Sequence, residues 1–325
     1  MSPVFFFQPS AAAFRRGRRG CKQPSQEASM KNQANPWLTS NLWVLGLGML
    51  PAILLIGILL YFTAWAFAFS FTDLALVGRK SVEWSWVGLE NFERLFTRRG
   101  FLESLWTTVI FVFFSAIVGQ SVLGFLLAAA LRGSRSMLRS VVEVCIMLGW
   151  LLPDIVAAFL WSATTAQTGL INQLIITPLG LPPVNFINDY ALPVVTIANI
   201  WKGTAWSYLL FSAALDSVSR EVVEAAKVDG ATPLQRIWLV QLPIIRPHIA
   251  TNMLFITIWT FTYFPLIFAM TGGGPGRQTE TLAVFLYNQS FARGNLGFGS
   301  AISVAMLAIV GFLSLFYLRL LREPK

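Results

Sequence analysis

The chain is 325 residues long, 55% hydrophobic and only 12% charged, with a net charge of +9. An average soluble domain is about 25% charged, and no single soluble domain of this length could hide so much apolar surface, which excludes a water-soluble enzyme and points to a polytopic membrane protein in a lipid bilayer. The basic residues stand in short runs between long apolar segments, the pattern of cytoplasmic loops, so no nucleic-acid partner is expected.

Cys21 and Cys145 cannot build a disulfide framework, and with His248 as the single histidine no metal site or metal cofactor is expected. Residues 1–35 read as a cytoplasmic tail without the apolar stretch and cleavage site of a secretory signal; Met30 is a plausible alternative start. Six charge-poor stretches come next, each near the ~20 residues that a transmembrane helix needs. They are Leu42–Phe71, Ser104–Leu131, Val144–Ala163 (interrupted only by Asp154), Ala191–Leu215 (containing Lys202), Ile249–Met270 and Asn295–Leu318. Six spans place both termini on one side. With the termini inside, 16 Arg and Lys lie in the cytoplasm and 7 outside, which favours cytoplasmic termini. The first external loop is the exception, and its mixture of Asp73, Glu83, Glu90 and Glu93 with five basic residues reads as a folded external segment.

The segment 217–247, between the fourth and fifth stretches, has its own helical punctuation. A helix over Ser219–Val228 stops at Asp229-Gly230, where glycine supplies a left-handed cap. Thr232 then opens a second helix with Pro233 at its first position and Gln235 completing a capping box; this helix is expected to end before Pro243.

Ionisable groups inside a bilayer are expensive and face cavities as a rule. Counting ~1.5 Å per residue, Asp154 lies about 20 Å from the cytoplasmic end of its span, and Lys202 descends to a similar depth from outside. The two are expected to pair or jointly to line a polar cavity; the competing expectation is that either one snorkels or pairs with a neighbouring subunit.

The string Glu224-Ala225-Ala226-x3-Gly230-x9-Val240-x-Leu242-Pro243 resembles the EAA motif of ABC importer permeases, with Val240 where Ile is usual. Asn91-Phe92, Gly169-Leu170-Ile171-Asn172, Trp201-Lys202-Gly203 and Thr271-Gly272-Gly273-Gly274-Pro275 add to the likeness, and over about residues 36–320 the chain is similar to the carbohydrate-type, maltose-transporter-like permeases. The resemblance implies an all-α polytopic membrane bundle, spanning residues 36–325, with six transmembrane helices and a cytoplasmic coupling helix. It further implies a place in the cell inner membrane as one permease subunit of an ATP-driven sugar importer. The partners it implies are a second homologous permease, a dimer of cytoplasmic ATP-binding subunits and an extracytoplasmic solute-binding protein.

In that family Glu224, Ala225, Ala226, Gly230, Leu242 and Pro243 would form the ATPase-coupling surface. The substrate pathway would take in Lys202, Gly203, Trp206, Trp259, Thr260 and Tyr263 beside Asp154. Relatives often carry an amide where this chain has Thr260 and Tyr263. The external loop Gly272, Gly273, Gly274 and Pro275 would serve the binding protein; it lacks the Gly-Lys-Ser/Thr ending of a phosphate-binding loop, so ATP hydrolysis belongs to another subunit. No catalytic residue is expected, for no nucleophile or paired-carboxylate constellation is present. A secondary transporter, or an importer permease for glycerol phosphate or a polyol, are the alternatives.

Overall fold

A computed structural model describes residues 36–97, 99–133 and 137–321. The tail expected over residues 1–35 lies outside the described residues. Helix α1 runs from Pro36 to Phe69, and its stretch Gly48–Phe69 is long enough, at about 33 Å, for a hydrocarbon core of ~30 Å. Among the described residues, those up to Tyr61 form one unit and those from Phe62 onward a second, which holds the folded bundle.

After α1 the segment expected to be the first external loop folds on itself. Thr72 pairs with Trp86 in an antiparallel bridge, and Lys80 sits 2.8 Å from the Asp73 carboxylate. The Asp73 carboxylate also takes the Ser85 N–H at 2.6 Å. With Lys80 first and this backbone bond second, the Asp73 pKa is held down to about 2. Helix α2, Glu90–Thr97, closes the segment through Asn91, whose buried amide donates to the carbonyls of Ser70 (3.0 Å) and Thr72 (2.7 Å). The motif residue Asn91 is therefore a staple between the end of α1 and α2.

Helix α3, Arg99–Leu131, crosses in one piece with a widened turn at Phe113–Gln120. The third expected span is not one rod. It is α4, Met137–Leu151, and α5, Asp154–Thr165, meeting at 109° across Leu152-Pro153. Pro153 has no N–H to give and disfavours helical geometry at Leu152, so the break falls before Asp154. The fourth stretch is the 26-residue α6, Ala191–Asp216.

Helix α7, Arg220–Val228, and helix α8 form the loop. Helix α8 starts at Pro233–Gln235, widens into a π turn over Arg236–Gln241 and runs on through Leu242–Ile244. It thus passes Pro243 instead of ending before it. After the wide turn, Leu242–Ile244 starts afresh with Pro243 in its first turn, where a missing N–H costs little. The fifth stretch is also divided: α9, Arg246–Phe261, and α10, Pro265–Thr271, meet at 42° just before Pro265. A short helix α11, Leu282–Tyr287, leads to the last long one, α12, Leu296–Leu321.

By length and apolar composition three helices among the described residues can cross a bilayer, or up to five if each bent pair is one span. Helix α6 falls outside that criterion because polar residues such as Asn199, Lys202, Thr204 and Ser207 lower its hydropathy, and all four are buried. It is the central packing element. Its Val195 and Ala198 join one apolar cluster with Phe111, Ala157 and Leu266, and its Phe211 and Leu215 join another with Ala128 and Ile245. Small residues let α3 and α6 touch closely: a Cβ on Gly203 would lie 2.3 Å from the Gln120 side chain, and one on Gly124 2.5 Å from Ser207. The two helix breaks and α6 together leave open space at one level of the bundle.

Candidate functional site

That space is a cavity of about 520 Å³ between the breaks at Leu152-Pro153 and Thr262–Phe264 and the face of α6. All seven residues expected along a substrate pathway line it: Asp154, and with it Lys202, Gly203, Trp206, Trp259, Thr260 and Tyr263. Lys202 Nζ lies 3.1 Å from Asp154 Oδ1 and donates to the Leu152 carbonyl at 2.5 Å. The Tyr263 hydroxyl donates to the same Oδ1 at 2.7 Å. So the expected pair forms, and it is a knot of three side chains from α5, α6 and the α9–α10 break.

Each break contributes to this knot. The first frees the Leu152 carbonyl from its helical partner and turns it to Lys202. It also makes Asp154 the first residue of α5, where the positive end of the helix dipole favours a carboxylate. The second break sets Tyr263 between two helices. With side chains 11% and 28% exposed, Lys202 and Asp154 are largely withdrawn from solvent.

The rest of the wall is aromatic and amide. Trp206 and Trp259 meet edge-on with centroids 4.8 Å apart, and Phe255 backs Trp206 at 5.8 Å. Trp206 Nε1 is buried with no acceptor among the described residues. Gly203 has a double part, lining the cavity and leaving the gap that Gln120 fills. Trp150, Gln120 and Asn199 also line it and were not anticipated. The signal for the two amides was present, since a Gln and an Asn inside apolar helices are as exceptional as a charge.

At the other end of α6, the loop is built as its sequence directs. Ser219 Oγ accepts the Glu221 N–H at 3.2 Å to start α7. Gly230, at φ +81, ends it: its N–H bonds to the Lys227 carbonyl (3.1 Å) and the Ala231 N–H to that of Ala226 (3.0 Å), a complete Schellman stop. The capping box is present, with Thr232 N–H to Gln235 Oε1 at 2.8 Å and Gln235 N–H to Thr232 Oγ1 at 3.3 Å. Glu224, Ala225 and Gly230 are exposed, and Ala226 is half-buried. Leu242 and Pro243 lie in the last turn of α8. Beneath the loop, Arg132 at the end of α3 donates to the buried Gln241 at 2.9 Å and lies 3.7 Å from Asp216 at the end of α6. This clasp was not anticipated, because its members are far apart in sequence.

Residues 120–324 match the model of the family described as the binding-protein-dependent transport system inner membrane component. The chain belongs to that family. It is a multi-pass inner-membrane transport component of the ABC importer type, which sets aside a secondary transporter. The permease is 32% identical over 236 residues, 72% of this chain and 79% of the relative, to the trehalose/maltose transport system permease protein MalF of Thermococcus litoralis. It is 35% identical over 233 residues, 69% and 76%, to the sn-glycerol-3-phosphate transport system permease protein UgpA of Pectobacterium atrosepticum. In fold it resembles a chain of a bacterial ABC transporter involved in the import of the acidic polysaccharide alginate, with a TM-score of 0.72 at 21% identity over 88% of this chain and 96% of that one.

The permease's remaining motifs are structural joints. Asn172 donates to the carbonyls of Ala166 (3.0 Å) and Val184 (2.8 Å) and accepts the Val184 N–H at 2.8 Å. Gly272, Gly273, Gly274 and Pro275 form the turn after α10, in which Gly272 and Gly273 have φ of +60 and +94. Thr279 pins this turn through the Gly274 carbonyl (2.9 Å) and the Thr271 hydroxyl (2.7 Å). Arg277 ties it to α3 through Glu103 and the Gly100 carbonyl, both at 3.1 Å, and to Glu280 within the turn.

Proposed function

We propose that this permease is one of two homologous membrane subunits of an ATP-driven sugar importer, with both termini cytoplasmic, and that residues 36–325 form its transmembrane domain. A solute-binding protein outside would deliver the sugar near the turn Gly272–Pro275. Two ATP-binding subunits in the cytoplasm would receive segment 217–247 as the coupling loop. Their closure on ATP would move α7 and α8 and rock the two permeases between inward-open and outward-open forms.

The observation that carries the reading is the cavity. Its volume of about 520 Å³ suits a small sugar, within the ~300–1,000 Å³ of small-ligand sites, and indoles beside neutral hydrogen-bonding groups are the wall that a sugar ring needs. In support of coupling, the small Ala225 and Ala226 allow close approach, Glu224 offers a charge to a basic partner, and Val228, Leu234 and Trp238 of the loop are exposed apolar groups in want of a partner surface. Glycerol phosphate or a similar polyol ester is the second reading, favoured by the 35% identity to the glycerol-3-phosphate permease.

A mild-detergent pull-down of the tagged chain from its native membrane, with mass spectrometry of what comes with it, tests the assembly. An ATPase and a second permease are expected, both lost or loosened on changing Glu224 or Gly230. A chain that purifies alone under cross-linking, from cells that still take up sugar through it, would overturn the reading.

A further inference from the structure

The polar groups around the cavity are unequal in what they have left to offer. Its wall holds one cation and one anion, Lys202 and Asp154, and they are paired at 3.1 Å. Two of the three Lys202 protons are engaged, by Asp154 and by the Leu152 carbonyl. The Tyr263 proton is given to Asp154. Gln120 donates to the Asn199 backbone carbonyl at 3.2 Å and to Ser115 at 3.4 Å, and Asn199 donates to Ser115 as well. The Thr262 hydroxyl donates to the Ile258 carbonyl at 3.1 Å. The charged and amide donors of the wall are thus largely spent on the wall itself, whereas Trp206 Nε1 has no acceptor among the described residues.

Its acceptors are less committed. Both donors that reach Asp154 go to Oδ1, and among the described residues Oδ2 takes none. A carboxylate oxygen is a strong acceptor for a ligand hydroxyl, and it repels any anion brought within a few ångströms.

We propose that Asp154 makes the cavity a charge filter, which takes an uncharged polyhydroxylated ligand through Oδ2 and turns away the phosphorylated counterpart of the same skeleton. The inference rests on the cavity being the substrate site. It assigns to Lys202 the task of holding Asp154 and not of binding an anion, and it makes Asp154 the specificity-determining residue of the site.

The test uses the whole transporter, this chain with its native partner subunits, in lipid nanodiscs. Titration calorimetry follows matched probes: trehalose against trehalose 6-phosphate, and glycerol against sn-glycerol 3-phosphate. The wild type is expected to bind a neutral member at least about tenfold tighter than its phosphate ester. Asp154→Asn, close to isosteric, frees the Lys202 charge and is expected to shrink that ratio about tenfold or more, and adding Lys202→Gln is expected to restore rejection of the ester. Asp154→Ser, expected to act in the same direction, serves if the asparagine variant does not assemble. An ester that binds the wild type as tightly as its neutral partner, or a ratio unmoved in a variant that still binds the neutral probe, overturns the inference and leaves the cavity as the substrate site. A transporter that accumulates trehalose or glycerol in vesicles, yet shows no change on substitution at Trp206, Thr260 or Asp154, overturns the cavity reading itself.

Discussion

The cavity wall and the loop 217–247 are both polar interruptions of an apolar chain, and they are finished to different degrees. At the wall, Asp154, Lys202 and Tyr263 satisfy one another across three elements. In the loop every cap is made locally, yet Val228 is 87% and Trp238 62% exposed. The wall is a non-local structure that is complete within this chain except toward a ligand. The loop is a local structure that rests on the bundle through Val223 but leaves Val228, Leu234 and Trp238 exposed. Damage at the wall should therefore appear as lost stability, and damage in the loop as lost transport by a protein that still folds.

The sharpest way to break that contrast is to remove one member of the knot. Lys202→Met leaves a withdrawn carboxylate without its cation, a defect of about 3 kcal/mol or more, and thermal unfolding in nanodiscs should show it directly. The exchanged pair Asp154→Lys with Lys202→Asp should recover part of the loss. Equal stability of the single variant and the wild type would mean that the pair holds nothing together. Next comes Gly203→Ala, whose Cβ would fall 2.3 Å from the Gln120 side chain. Overpacking of that kind costs about 1–3 kcal/mol and should lower the unfolding temperature, with Gln120→Ala partly rescuing it.

In the loop, Gly230→Val forces a branched residue to φ +81, a local strain of about 1–2 kcal/mol. Uptake should fall sharply while global unfolding barely moves; a large drop in global stability would erase the distinction between the two regions. Thr232→Ala removes the capping box at a cost of about 1 kcal/mol, to be read as faster amide exchange in the first turn of α8. The smallest effect is at Asp73. Its pKa lies below the ordinary carboxylate value, so its pairing with Lys80 and Ser85 is intact above pH about 4 and fades as the pH falls toward about 2. Exchange of the Ser85 amide should quicken over that window, and Asp73→Asn should abolish the change.

How much of this was legible in the sequence divides along the same line. The loop could be read almost residue by residue, because caps and turns are decided within four or five positions: Ser219, Gly230, Thr232 and Gln235 do what their spacing announces. The exception is Pro243, where a widened turn absorbed what should have been a stop. The long apolar stretches were legible as helices but not as bent ones. Pro153 and Pro265 were visible, yet hydropathy alone reads straight through a proline. Depth along the membrane brought Asp154 and Lys202 to one level, since both are rare charges in apolar surroundings. Nothing local pointed to Arg132 and Gln241, which meet only because α3 and α8 end side by side.

The bare face of the loop bears on how such a subunit is counted in the cell. Leu234 and Trp238 stand open in the isolated chain, and exposed apolar side chains are the signal by which chaperones and proteases sort unfinished proteins. Under the proposed assembly, a permease made in excess of its ATPase would carry its own sign of being unassembled. Its abundance would then be set by the scarcest partner, and stoichiometry in the membrane would follow from surface chemistry without any matching of synthesis rates.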